Sequence, residues 1–243
     1  MEGHAKISTF EAMRTDPLTK PILKEMVDEK GNPVVCDQVW ISYFTGGGDN
    51  MGEGFGKLTA GFGSRRNPAE ASDKIGPEFT FGIYAQKALR EPVLIIKTAW
   101  GGKSIHTDFR PPSAGPYPFS EKELENFIKR GRNLKEVQAE KAEQTGRFYR
   151  LMIEPVRRVL KDVKRVYPDY DSEDGCELAG FAWFQGWNDQ YQDRWLSYEK
   201  NMANFIRDVR KEFKAPKMKF VVGQMGNDGM APDKPGSPRD YIK

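Results

Sequence analysis

An apolar and aromatic run, Gly180-Phe181-Ala182-Trp183-Phe184, ends abruptly in Gln185-Gly186-Trp187-Asn188-Asp189. A run of this composition and ending reads as a buried strand that delivers polar groups to the carboxyl edge of a sheet. In open α/β sheets that edge is where ligands bind. The turn offers a side-chain amide donor there, a group suited to stabilising a developing oxyanion. The pattern points to acyl-transfer chemistry.

Strand and helix signals alternate along the rest of the chain. Residues 34–44 have strand composition, and the glycine-rich segment 46–63 fits neither period and is expected to be a long loop. Ile75-Gly76-Pro77-Glu78 opens a helix, with Pro77 suited to the first helical position and Glu78 to the positive end of the dipole. Residues 92–100 form a short apolar run, expected to be a strand buried on both faces, and it ends in the turn Gly101-Gly102-Lys103-Ser104. A proline-rich loop spans 110–118. Phe148, Leu151, Met152, Val156, Val159, Leu160 and Val163 then make one apolar helical stripe, which Pro155 should kink or restart. A second amphipathic helix carries Trp195, Tyr198, Met202, Phe205, Ile206, Val209 and Phe213, and residues 219–223 read as a last strand before a Gly/Pro-rich tail. Strands separated by helices imply an α/β fold with a parallel sheet covered on both faces, and 243 residues suit a single domain.

Composition removes several function classes. The net charge of +3 comes from 38 basic and 35 acidic residues, without the clustered excess that a nucleic-acid surface needs. No stretch approaches the roughly 18 apolar residues of a membrane span. The first residues lack the basic start and apolar core of a signal peptide. Cys36 and Cys176 fall inside apparent strands and are expected to be buried, with no disulfide framework and no metal site. No cofactor motif survives inspection either. Gly101-Gly102-Lys103-Ser104 would need glycine where Lys97 stands to be a phosphate-binding loop, and Gly52-Glu53-Gly54-Phe55-Gly56 lacks dinucleotide spacing. The carboxylates Asp169, Asp171, Glu173 and Asp174 read as a solvated loop.

Three blocks carry a family resemblance: Ile75-Gly-Pro-Glu-Phe-Thr-Phe-Gly, Ile96-Lys-Thr-Ala-Trp-Gly-Gly-Lys-Ser, and Phe181-Ala-Trp-Phe-Gln-Gly-Trp-Asn-Asp. Together, and in this order, they resemble the sialate O-acetylesterase-like branch of the SGNH hydrolases, carbohydrate esterases that remove acetyl groups from sugars. The resemblance implies a three-layer αβα, flavodoxin-like, mostly parallel sheet. In that family the nucleophile lies in Gly-Gln-Ser-Asn-Met-Glu-Gly after the first strand, and this chain begins Met1-Glu2-Gly3-His4. The implied serine would stand two positions before Met1. The family's catalytic histidine comes from an Asp-x-x-His block that occurs nowhere in these residues. The expectation is therefore a single domain over 1–243, truncated at both ends, lacking its first strand and inactive by itself. Family relatives are often exported.

Carried over residue by residue, the resemblance implies Asn188 as the amide donor of the oxyanion hole and Gly76 as a backbone donor. It places Gln185, Trp187 and Asp189 around them, and Trp100, Gly101, Gly102 and Lys103 as pocket lining. No cofactor or metal is implied, and the partner is an acetylated carbohydrate. Serine chemistry needs a histidine to take the hydroxyl proton and a carboxylate to orient that histidine. Ser104 has only half of a nucleophile elbow, so it is expected to line the pocket or build the turn. His106 and His4 are expected to be structural. Trp183 and Trp187 can stack on sugar faces, although Trp183 fits core packing equally well. The competing reading is a carbohydrate-binding relative that kept the pocket and lost the triad.

Overall fold

The computed structural model describes residues 2–46, 51–65, 67–68, 70–223 and 235–237. They gather into two compact units, Met1–Gly101 with Pro155–Gly175, and Gly102–Glu154 with Cys176–Lys243.

The first unit is built around β2 (Val39–Thr45), whose seven residues are all buried. A β-branched and aromatic sequence, Val-Trp-Ile-Ser-Tyr-Phe-Thr, suits a strand covered on both faces. It pairs in parallel with β5 (Val93–Thr98), in register from Val39↔Val93 to Phe44↔Thr98. The crossover between them contains α3 (Pro77–Leu89), which starts at Pro77 as its sequence predicts. On its other edge β2 pairs antiparallel with β3 (Gly52–Lys57). This strand lies inside the segment read as a loop. Glycine at 52, 54 and 56 erases the alternation that would mark it, and a β-carbon on Gly54 would meet the Pro68 carbonyl at 2.9 Å. Residues 47–50 lie outside the described set.

Two short helices, α1 (Thr9–Thr15) and α2 (Lys20–Met26), add Phe10, Leu23 and Met26 to a core with Ile41, Tyr43, Leu58, Phe79 and Ile83. A small antiparallel pair, β1 (Ala5–Lys6) with β4 (Lys74–Ile75), ties the amino-terminal residues to the start of α3. Segment 155–175 joins the unit through side chains. Tyr167 stacks on Trp40 with ring centroids 4.0 Å apart. Glu53 receives Ser42 Oγ at 2.5 Å, Arg158 Nη2 at 2.9 Å and both terminal nitrogens of Arg165 at 2.8 and 2.9 Å. Burial works to raise the Glu53 carboxyl, but the bonds from Arg165 and Ser42 overcome it and hold the group below the ordinary carboxylate range.

The second unit holds α4 (Glu121–Lys129), capped by a reciprocal Ser120–Glu123 box, and α5 (Leu134–Gln144). It also holds the parallel pair β6 (Gly180–Trp183) and β7 (Lys219–Val222), connected through α7 (Tyr198–Glu212). Phe205 from α7 lies 4.6 Å from Trp183 and 5.7 Å from Phe181 between ring centroids, and Phe181 stacks on Phe220 at 4.8 Å. The outer face of this ladder is open: Gly180 and Ala182 are exposed, and Val221 is 66% exposed. The expectation of a fully buried signature strand is corrected here, since only Trp183 of β6 is buried.

Two further expectations change. Helix α6 (Arg147–Lys161) runs through Pro155 without restarting. Cys176 is exposed in a loop and Cys36 is half-buried ahead of β2, so neither is a buried strand residue. The protein is a mixed α/β fold whose described strands form three ladders, β1-β4, β3-β2-β5 and β6-β7.

Candidate active site

Beyond Trp183 the chain turns through Gln185 and Gly186 into a single 3-10 turn, Trp187–Gln190. Asp189 fixes this turn from beneath. Its side chain is fully buried, with Oδ2 accepting the Ile105 N–H at 3.0 Å and Gln185 Nε2 at 2.6 Å, and Oδ1 accepting the His106 N–H at 3.0 Å. Burial pushes the carboxyl up to about 6, against the pull of those three hydrogen bonds. Gln185 Nε2 also donates to the Lys103 carbonyl at 2.7 Å, and Tyr198 donates to the Gln185 carbonyl at 2.6 Å. The turn is thus locked to the loop 103–108 and to α7.

What the lock leaves available is informative. Asn188 is half-buried, and its side chain carries no hydrogen bond among the described residues. Its Nδ2 sits 3.8 Å from where a β-carbon on Gly102 would stand, and Gly102 holds a φ of +69° that glycine adopts without strain. Trp187, next to it, is 53% exposed. Gln185 and Asp189, expected around the donor, serve as its supports. Lys103 is engaged elsewhere: its ammonium lies 4.1 Å from the Phe148 ring centre and 3.9 Å from Asp108 Oδ1.

Neither serine near His106 has the polarity of a nucleophile. Ser104 is fully buried, donates to Asp108 Oδ2 at 3.2 Å and accepts the Thr107 N–H, which makes it a turn residue. Ser197 Oγ lies 3.0 Å from His106 Nδ1, a pairing across 91 residues that local sequence cannot reveal. Its hydroxyl donates to the Arg194 carbonyl at 3.1 Å, so it accepts from His106 Nδ1–H. In this arrangement the Ser197 hydroxyl faces the Arg194 carbonyl rather than the imidazole. Burial, followed by the charges of Arg110 and Arg194, pushes the His106 imidazole down to about 4 and keeps it neutral.

The remaining expected residues, Gly76, Trp100 and Gly101, belong to the first unit. Gly76 caps α3, and its N–H already donates to Glu78 Oε1 at 3.0 Å, so it is not free to serve an oxyanion in this arrangement. Gly3, at φ +86°, is pressed against it: a β-carbon there would stand 2.2 Å from the Gly76 Cα. Lys97, buried at 8% exposure, donates to the Glu2 carbonyl, the Phe62 carbonyl and Glu78 Oε2, each at 2.7 Å. Burial draws its ammonium below the ordinary range, with Glu78 opposing. Sequence reasoning missed this pair, although a lysine inside Leu-Ile-Ile-Lys-Thr was its signal. A β-carbon on Gly101 would come within 2.5 Å of the Glu2 carboxylate. Trp100 meets Phe44 edge-on at 6.1 Å, and exposed His4 lies 3.6 Å from Glu2. Among the described residues no group of His, Cys, Asp and Glu side chains is placed to hold a metal ion. No helix among them is long and apolar enough to cross a membrane.

The described residues thus make a mixed α/β chain with an amide-bearing turn at a strand's carboxyl end. Residues 61–237, well over half of the chain, match the family described as carbohydrate esterase, sialic acid-specific acetylesterase, and the chain is a member of that family. Among solved structures it is similar to a protein from Arabidopsis thaliana, with 13% identity, a TM-score of 0.46, and coverage of 86% of this chain and 63% of that one. It is also similar to a protein described as a novel carbohydrate acetylesterase from Xanthomonas citri, with 15% identity, a TM-score of 0.49, and coverage of 95% of this chain and 42% of that one. The chain thus spans less than two thirds of either. No curated protein matches it.

Proposed function

We propose that this chain carries the oxyanion-stabilising side of a carbohydrate O-acetylesterase, a serine hydrolase acting on acetylated sugars. The observation that supports this most is the Asn188 amide, unpartnered among the described residues on a turn that buried Asp189 holds still. In the reaction a serine oxygen attacks the acetyl carbonyl while a histidine takes its proton. The tetrahedral oxyanion accepts a hydrogen bond from Asn188 Nδ2, then collapses to release the sugar hydroxyl, which takes the proton back. Water repeats the sequence and frees acetate. One such donor is worth on the order of 3 kcal/mol of transition-state stabilisation. Trp187 offers the sugar an exposed ring beside that donor. Neither Ser104 nor Ser197 is assigned as nucleophile, since their hydroxyls donate to Asp108 and to the Arg194 carbonyl.

The test compares acetate release from acetylated sugars by the 243-residue chain and by the longest in-frame product that contains it. The expected result is no turnover from the chain alone. A longer product with Gly-Gln-Ser-Asn before Met1 and Asp-x-x-His beyond Lys243 should turn over, and N188A should lower its kcat about 10²–10³-fold. An inert longer product, or a harmless N188A, refutes the assignment. Sugar binding without turnover is the second reading, favoured if no such product exists, because no described Ser–His pair has catalytic polarity.

A further inference from the structure

The His106 ring is braced at one nitrogen and bare at the other. Nδ1 faces Ser197 Oγ at 3.0 Å, and that oxygen is already committed. It donates to the Arg194 carbonyl at 3.1 Å and accepts Asn201 Nδ2 at 3.2 Å. With its proton so placed it accepts from the ring, which fixes the imidazole proton on Nδ1 and the lone pair on Nε2. No hydrogen bond among the described residues reaches Nε2, and it is not one of their buried unpartnered atoms. The bare nitrogen therefore opens outward.

Its surroundings keep that lone pair available. Burial weighs most against a proton on the ring, followed by the charges of Arg110 and Arg194, with Glu123 opposing and Lys141 adding to them. The imidazole stays neutral until pH falls toward about 4. Arg110 is spent on the carbonyls of Gly115, His106 and Ala114 at 2.7–3.2 Å, and Lys141 lies 4.5 Å from the Tyr117 ring centre. The neighbouring carboxylates are occupied as well. Glu123 accepts the Tyr117 hydroxyl at 2.8 Å and the Ser120 N–H at 2.9 Å. Asp108 Oδ2 accepts the N–H and hydroxyl of Ser104 at 2.9 and 3.2 Å. Asp189 is filled by Ile105, His106 and Gln185. Among these side-chain acceptors, His106 Nε2 alone is unengaged. The same Asp189 ties it to Asn188, because Oδ1 accepts the His106 N–H and Asn188 precedes Asp189 in the turn.

We infer that His106 is a ligand-binding residue whose Nε2 accepts a hydrogen bond from a free hydroxyl of the sugar held beside Asn188. A bare imidazole nitrogen takes a proton donor and has nothing to offer an ester oxygen. An acetyl group on that hydroxyl removes the donor, so the contact separates a partly acetylated sugar from a fully acetylated one. This inference rests on the sugar-binding reading above and adds the residue that tells hydroxyl from ester.

The full chain, made with isotope-labelled histidine, carries only His4 and His106, and H106N assigns the second by removing its signals. Near neutral pH it is titrated with mono-O-acetylated methyl glycosides of glucose, galactose and xylose, and with the fully acetylated form of each. The expected result is that a mono-acetylated glycoside moves the Nε2 resonance and leaves the proton on Nδ1. Its fully acetylated form should bind about 3–10-fold more weakly, as loss of one neutral hydrogen bond requires, and leave Nε2 unmoved. Two variants separate recognition from bracing. H106N keeps an amide donor for Ser197 but has no acceptor at the Nε2 position, and it should weaken binding by the same factor. H106Q reaches that position with its carbonyl and gives up the Ser197 contact, so it should keep binding with a lower Tm. A ring that serves only as a brace gives the reverse order. That order, a proton on Nε2, or binding that leaves Nε2 unmoved overturns the His106 assignment while sugar binding stands. Binding of none of the glycosides overturns both.

Discussion

Asp189 and His106 titrate in opposite senses over the same pH range, so removing either one should expose the other. The Asp189 carboxyl sits at about 6 in the folded protein against an ordinary 3.8. The folded state therefore holds this proton more tightly. Its contribution is complete below pH 3.8 and is lost as pH rises through 6, a difference of ~3 kcal/mol at 1.36 kcal/mol per pH unit. His106 sits at about 4 against 6.5. Its contribution is present above pH 6.5 and is lost as pH falls through 4, a difference of ~3 kcal/mol that partial solvent access reduces to ~2 kcal/mol. In the wild type the two slopes nearly cancel, leaving a net loss of ~1 kcal/mol between pH 4 and 7 from this pair. In H106Q the same interval should cost ~3 kcal/mol, whereas D189N should gain ~2 kcal/mol. The hydrogen bonds that each substitution breaks lower stability at every pH and do not alter these slopes. Urea unfolding at half-unit pH steps reads the effect, and ~5 kcal/mol of divergence is about 2 M in midpoint at an m-value of 2–3 kcal/mol/M. Parallel pH profiles for the two variants would refute the reasoning, because both groups would then titrate as they do in solvent.

Two other predictions concern the first unit. K97M strands the Glu78 carboxylate in a buried site and should cost about 3–5 kcal/mol, while K97M/E78Q should recover most of it, both read by chemical denaturation. G3A forces a β-carbon onto Gly76 at a positive φ and should lower Tm by about 6–12 °C, corresponding to about 3 kcal/mol. G115A, in the second unit, has the same backbone sign and open space around it, so its cost should be closer to about 1 kcal/mol.

Much of the fold was legible where the signal is local. Pro77 fixed the start of α3, the three- and four-residue spacing of Tyr198, Met202, Phe205 and Val209 marked α7, and the apolar runs located β5, β6 and β7. The failures were non-local. Strand β3 exists because β2 offers it an edge, and its three glycines carry no alternation. Cys176 looked like a strand residue because its exposure depends on where the chain turns. At the candidate site, the sequence singled out Asn188 and Trp187 through their place at a strand end. It could not show that Asp189 lies beneath the turn, since its backbone partners are more than 80 residues away. Likewise, the Gly76 donor role was drawn from a motif, whereas only geometry reveals that Glu78 occupies its N–H.

The grip of Glu53 on Arg158 and Arg165 has a topological consequence. Segment 155–175 belongs to the first unit although more than fifty residues of the second unit intervene before it. It is seated by the buried side chains of Val156, Val159, Val163 and Val166, by one carboxylate reached from 105 and 112 positions away, and by the face of Trp40 against Tyr167. A chain cleaved within 102–154 should keep segment 155–175 seated by the same contacts, so the unit is defined by its contacts rather than by chain order.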